Sequence, residues 1–195
     1  ELVAALKRSE AGLERRVGER TAELEALNAR LRENERQLQA LAHTDTLTGL
    51  ANRLLLGARL EQSIQLARRS QGQIALLLVD VDRFKAINDT YGHAIGDEVL
   101  RFAAQRLRAA VRAVDTVARL GGDEFAVVLS GLSGAADAEH MAEKIVIGVR
   151  EPMRVLGMPL EISVSVGVAT YSGGDLSPAE LMRRADQAMY AAKSA

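Results

Sequence analysis

The sequence predicts an α+β fold: a ferredoxin-like βαββαβ core, with an antiparallel sheet backed by helices, preceded by one long coiled-coil helix. Three observations predict it. Apolar residues recur at steps of three and four through residues 1–42, and the pattern stops there. From residue 43 onward, short apolar runs alternate with amphipathic stretches of helical period. Two of those runs, TVARL (116–120) and EFAVVLS (124–130), flank Gly121-Gly122 as the arms of a hairpin.

The first element, residues 1–42, contains no proline and only Gly12 and Gly18. Positions 3, 6, 10, 13, 17, 20, 24, 27, 31, 34, 38 and 41 form a heptad seam, and nine of these twelve are apolar. A strip this narrow suits a partner helix better than a globular core, so a homodimer through residues 1–42 is expected. Glu10, Arg20 and Asn34 interrupt the seam. Polar seam residues set register or oligomer state, which leaves two readings: a plain dimerising helix with imperfect heptads, or a signalling helix with two registers.

The second unit is expected over 43–195. Thr44, Asp45, Thr46 and Thr48 are turn and cap residues, with Gly49 as a break. A helix follows over 52–69. IALLLVDVD (74–82) is an apolar run ending in acids, the pattern of a buried central strand. Residues 83–96 read as irregular or briefly helical, and 97–113 as an amphipathic helix. After the hairpin come a helix over 135–150, an alternating strand over 160–170, and a helix over 177–193 with Ser177 as N-cap and Pro178 at its first position.

Composition narrows the function. Apolar residues make up 48% of the 195, enough for a core, and the absence of cysteine excludes disulfides and thiolate zinc sites. A net charge of −1 gives no basic field for nucleic acid, so no nucleic-acid partner is expected. No apolar run reaches the roughly 18 residues of a membrane span. The chain opens on Glu1 rather than Met, and the expectation is a fragment of a longer protein.

The acids carry the chemistry. Asp80 closes the apolar strand and Asp82 follows on the same side. In a βαββαβ sheet the end of that strand lies near the hairpin, which brings Asp80 toward Asp123 and Glu124. Converging carboxylates share a proton or hold a cation. Hard oxygen donors with open positions suit magnesium bound together with substrate phosphates. Gly121 and Gly122 let backbone N–H groups approach a phosphate. Asp-x-Asp alone is often a capped strand end, and Gly-Gly-Asp alone is a common turn. No P-loop sequence is present.

At this point the motifs resemble a known family. GGDEF (121–125) is the signature of the GGDEF domains, the diguanylate cyclases. DTLTGLANR (45–53), LVDVDRFKAINDTYGHAIGDEVL (78–100), VSVGVA (164–169) and ADQAMYAAK (185–193) are similar to its other motifs in the same order. The resemblance covers residues 43–193 and implies a nucleotidyl-cyclase-type sheet. It implies a nucleotidyltransferase that condenses two GTP into cyclic di-GMP and two pyrophosphates, with one GTP held by each subunit of a dimer. It implies two magnesium (or manganese) ions per active site, held by Asp80 and Asp123 with the Val81 carbonyl assisting. Asp123 or Glu124 is the proton acceptor or second metal ligand, and the choice between them stays open.

By the same resemblance Asn88 and Asp97 recognise guanine, and Leu47 and Phe84 line the base pocket. Lys85 and Lys193 contact phosphates, and His93 lies in the substrate loop. Blander roles stand beside these: Leu47 and Phe84 as core, His93 as a loop anchor, Asp82 as a strand-end hydrogen-bonder, Lys85 as a solvated charge. Arg112 and Asp115, alone a surface ion pair, match the family's product-inhibition motif five residues before GGDEF. A further arginine of that site is not assignable. The family often continues past the final Ala-Lys with a Gly-Arg-Asn segment, and this chain stops at Ala195. An upstream sensor and a cytoplasmic catalytic part are expected, with a membrane anchor possible in the preceding region. The competing functions are a catalytically inactive nucleotide-binding receptor and a purely structural dimerising fragment.

Overall fold

The computed structural model of the protein describes residues 16, 18, 20, 21, 23–34, 42–155 and 157–193. The chain divides into two compact units, Glu1–Ala42 and His43–Ala195. In the first, residues 23–34 are helical. Leu24, Leu27 and Leu31, three of the expected seam positions, are more than half exposed in the single chain. Arg20 pairs with Glu23 at 2.8 Å along the helix. Val3, Leu6, Glu10, Leu13, Val17, Leu38 and Leu41 lie outside the described residues.

The second unit runs α1 (Arg53–Ser70), β1 (Gln73–Val81), α2 (Phe84–Tyr91), α3 (His93–Ala110), β2 (Thr116–Gly121), β3 (Glu124–Leu132), α4 (Ala135–Arg150), β4 (Met153–Val155), β5 (Met158–Leu160), β6 (Val164–Tyr171) and α5 (Pro178–Lys193). Four strands form one sheet in the order β2-β3-β1-β6, antiparallel at each pairing. This is the expected α+β fold, with β1 in the middle. Both sheet faces are covered, which explains why β1 is apolar at nearly every position. Ala75, Leu77, Val79 and Val81 join Val99, Leu100, Leu107 and Ile145 in one core under α3 and α4. Ile74, Leu76 and Leu78 join Leu56, Leu60, Ile64, Leu181 and Met189 in a second core under α1 and α5. Each fully buried leucine in these layers contributes about 1.5–3 kcal/mol.

Helix ends follow the expected chemistry. The Asn52 side chain accepts from the Leu55 amide at 3.1 Å and starts α1. Ser177 accepts from the Glu180 amide at 3.2 Å and starts α5. Gly167 on β6 permits a close approach of α5. A Cβ there would collide with the Ala185 carbonyl and the Met189 amide of α5, so any larger residue must push the helix off the sheet.

Three expectations are sharpened or moved. Residues 84–91, expected as irregular or briefly helical, form one eight-residue helix, α2. Helix α3 spans His93–Ala110 rather than 97–113. Gly92, at φ 84°, separates α2 from α3, whereas Gly96 is buried inside α3. The strand expected over 160–170 is β6, Val164–Tyr171, and a separate hairpin, β4–β5, precedes it. Strands of three residues are too short to show an alternation.

Candidate active site

The end of the sheet gathers the acids. Asp80 pairs in register with Glu124 on β3 and with Ser165 on β6. Paired residues share a face, so Glu124, Asp80 and Ser165 form one row on the side covered by α1 and α5. Lys193, at the end of α5, reaches that row: its Nζ stands 2.8 Å from Asp80 Oδ2. Arg53, the first residue of α1, lies 3.9 Å from Glu124. Beside Glu124 opens a cavity of about 330 Å3 whose floor includes Leu78, Met182 and Met189. Asp123 belongs to the turn, where its carbonyl accepts from the Val81 amide at 3.2 Å. Asp82 takes the strand-end role: it accepts from Ser163 Oγ at 2.6 Å and Ser165 Oγ at 2.7 Å.

Charge at this corner is unbalanced. Burial pushes the Asp80 carboxyl above the ordinary carboxylate range. The Lys193 ammonium draws it back, while the Asp123 and Asp82 charges push it further up. For Lys193, partial burial works downward, but Asp80, Asp123 and Glu124 together hold the ammonium above its usual value. The two shifts are not mirror images because Asp80 is only 9% exposed while Lys193 is 39% exposed. Burial dominates at Asp80 even though it is paired.

The glycine turn is braced from behind. Gly121 and Gly122 have φ of 138° and 54°, conformations that L side chains adopt only with strain. Arg119 Nη2 and Nε donate to the Gly122 carbonyl at 2.7 and 3.1 Å. Its Nη1 donates to both Asp45 oxygens at 3.1 Å. Asp45 also accepts from the Thr48 amide and hydroxyl. Burial of Asp45 works upward on its pKa, but these bonds outweigh it and hold the carboxyl below its usual value. Neither Arg119 nor the Asp45–Arg119 pairing was among the expected site residues. The available signal was an arginine in an otherwise apolar strand, two residues before the glycines.

Of the residues expected at the base, Phe84 and Asn88 lie on α2, Asp97 on α3, and Leu47 in the turn before α1. Arg83, left-handed at φ 55°, turns the chain sharply from β1 into α2, a conformation that costs a bulky residue about 1–2 kcal/mol. Leu47 and Phe84 pack against the core, half-buried. The Asn88 side chain and the Phe84 ring lie against Gly96, where a Cβ would collide with Asn88 Oδ1. That oxygen is buried and accepts no hydrogen bond. Asp97 follows on α3, half-buried, while Lys85 and His93 are exposed. Gly96 is a second residue that the sequence reading did not single out.

The Arg112–Asp115 corner differs from its expectation. The Arg112 backbone amide, not its guanidinium, donates to Asp115 Oδ2 at 3.0 Å. The Asp115 amide donates to the Arg112 carbonyl at 3.1 Å, and Asp115 Oδ1 accepts from the Ser130 amide at 3.2 Å. The expected ion pair between the two side chains is therefore replaced by a closed backbone turn, because amides satisfy the carboxylate better than an exposed arginine does. A cavity of about 320 Å3 adjoins both residues, lined also by Ser130, Asp137 and His140.

Among the described residues no three acids or histidines form a preassembled metal cage. The donor set nevertheless fits a divalent cation of the magnesium type. Such ions keep several waters and bind through one or two carboxylates plus substrate oxygens. A buried Asp80 beside Asp123, carrying more negative charge than one lysine balances, supplies that environment.

Comparisons with known proteins agree with this geometry. The family described as "Diguanylate cyclase, GGDEF domain" matches residues 42–195. The bifunctional diguanylate cyclase/cyclic di-GMP phosphodiesterase MucR of Pseudomonas aeruginosa is 49% identical over 158 residues, 81% of this chain and 23% of MucR. Diguanylate cyclase TpbB of the same species is 44% identical over 172 residues, 88% of this chain and 40% of TpbB. The chain thus spans well under half the length of these curated relatives. A crystal structure of the coiled coil and GGDEF domain of DgcB from Caulobacter crescentus, in complex with c-di-GMP, superposes with a TM-score of 0.82 at 34% identity, covering 93% of this chain and 94% of that one. By its motifs, its sheet and these matches, the chain belongs to the GGDEF domain family of diguanylate cyclases.

Proposed function

We propose that this chain condenses two GTP molecules into cyclic di-GMP and two pyrophosphates, as a homodimer joined through residues 1–42, and that the product slows it at Arg112 and Asp115. The observation that carries the reading is the buried Asn88 Oδ1 with no partner, held with the Phe84 ring against Gly96 of α3. A buried acceptor left unbonded costs about 1–3 kcal/mol, which a ligand N–H recovers on binding. The guanine edge offers such donors at N1 and the exocyclic amine. Asp97 supplies a second acceptor, and Leu47 and Phe84 pack the base.

In this reading Lys85 and Lys193 hold phosphate oxygens, the N–H groups of Gly121 and Gly122 cradle them, and His93 stands at the start of α3. Asp80 and Asp123, with the Val81 carbonyl and Glu124 beside them, would hold magnesium or manganese, two ions per site, whose charge would stabilise the transferring phosphoryl group. Asp123 or Glu124 takes the proton from the 3′-hydroxyl as its oxygen bonds to the α-phosphorus of the other GTP. The α–β phosphoanhydride bond then breaks and pyrophosphate leaves. The same step, with the roles exchanged, closes the ring. Each site supplies one nucleotide, so a dimer is required.

Arg112 has a guanidinium that Asp115 does not engage, which leaves it for guanine or phosphate of the product. The DgcB structure named as a complex with c-di-GMP supports that class of ligand. No helix among the described residues is long and apolar enough to cross a membrane. A GTP-consuming domain of this kind works in the cytoplasm, where GTP is available.

The test is incubation with GTP and magnesium, with nucleotides resolved by mass. Cyclic di-GMP should form and then stall as it accumulates, and Arg112→Ala should remove the stall while leaving the initial rate. Thermal stabilisation by GTP without product would instead favour a receptor.

A further inference from the structure

The Lys193–Asp80 contact is built by the packing of the fold. Gly167 on β6 pairs with Leu78 on β1, and two residues along the same strands Ser165 pairs with Asp80. On α5, Met189 lies against Gly167, and Lys193 follows one helical turn later. One turn of helix advances about 5.4 Å and two strand residues about 6.6 Å, so the close approach at Gly167 delivers Lys193 onto Asp80. Its Nζ takes Oδ2 at 2.8 Å. Asp80 is almost enclosed, whereas Lys193 is 39% exposed on a flexible four-carbon stem and can swing away.

We propose that Lys193 is an exchangeable counter-ion. In the empty site it neutralises Asp80 and holds off a free divalent cation, and it transfers to the triphosphate when nucleotide and cation arrive together. The inference rests on the reading of this corner as a metal–nucleotide site. An ammonium and a divalent ion cannot share one carboxylate oxygen without strong repulsion at close range. Nucleotide phosphates offer Lys193 another partner and thereby release Asp80. Cation and nucleotide then strengthen each other's binding, and by linkage the effect is reciprocal. The domain consequently rests without metal until GTP is present.

The test is a manganese titration of the full chain without nucleotide, following the free ion by electron paramagnetic resonance. Lys193→Met and Lys193→Gln should each bind manganese about 5-fold or more tightly than the parent. Lys193→Arg, which keeps the charge, should stay near the parent, and Asp80→Asn should bind weakest. Addition of a non-hydrolysable GTP analogue should raise manganese affinity in the parent and much less in Lys193→Met. Unchanged or weaker manganese binding in both uncharged variants would overturn the proposal. The titration reads no turnover. A chain that forms no cyclic di-GMP yet shows these shifts would defeat the proposed reaction alone, and a working cyclase without them would defeat the counter-ion alone.

Discussion

Asn52 and Asn88 stand at two corners of the same domain and carry the same side chain. Asn52 lies in the segment leading into α1, where its oxygen accepts from the Leu55 amide, next to Asp45, Arg119 and the Gly122 carbonyl. Asn88 lies on α2, where its oxygen is buried and accepts nothing. The first corner is closed: its polar groups have protein partners and hold the glycine turn rigid. The second is open, and the structure tolerates the cost. The difference teaches that side-chain type does not separate scaffold from site, whereas hydrogen-bond satisfaction does. Asp115 and Asp80 repeat the contrast. Asp115 is closed on two backbone amides, while Asp80 has one exchangeable lysine.

Four experiments would break or sharpen this contrast. The largest effect is expected at the open corner of the acids: Asp123→Ala should lower turnover by about 100- to 1,000-fold. Its melting temperature should stay near the parent's, because Asp123 holds the turn through its backbone. A parallel collapse of fold and activity would place Asp123 in the scaffold instead. Next is the pair of asparagines. Asn88→Ala should raise KM for GTP by about 10- to 100-fold with little change in Tm, since it removes an orphaned acceptor. Asn52→Ala should lower stability by about 1 kcal/mol, a few degrees in Tm, and leave KM alone. Similar behaviour in both variants would erase the distinction.

Gly167→Ala should cost about 1–3 kcal/mol of stability by forcing α5 off the sheet, readable as an earlier denaturant midpoint. An unchanged midpoint would mean that the close approach is not needed. The smallest effect concerns pH at the closed corner. The Asp45 carboxyl is held below its usual value, so its ionised form stabilises the fold above the unfolded value of about 3.9, and this contribution is lost as pH falls through the folded value. The stability gap between parent and Asp45→Asn should therefore be constant near neutrality and shrink below about pH 4. A gap that persists in acid would assign the stabilisation to neutral hydrogen bonds.

Much of this was legible in the sequence, for identifiable reasons. β1 ends an apolar run in acids, and the hairpin is punctuated by two glycines, so Asp80 and the turn could be placed without coordinates. The nearness of Asp80 to Asp123 and Glu124 followed from topology, while the register that sets Asp80 opposite Glu124 did not. The brace was not legible, because Asp45 and Arg119 lie far apart in the chain and neither has a local partner pattern. Gly96 was not singled out, because no local pattern marks it; its reason is the Asn88 side chain lying where a Cβ would stand. Lys193 was expected at phosphates, but its contact with Asp80 depends on how closely α5 approaches β6, which no local pattern encodes.

The most direct measurement is a nitrogen-15 correlation spectrum of the side-chain amides of Asn52 and Asn88, recorded while a non-hydrolysable GTP analogue and magnesium are added. Asn88 should shift on binding and Asn52 should not, and the corresponding ATP analogue should leave both in place. Movement of neither amide, or equal movement with GTP and ATP analogues, would contradict guanine recognition at the open corner.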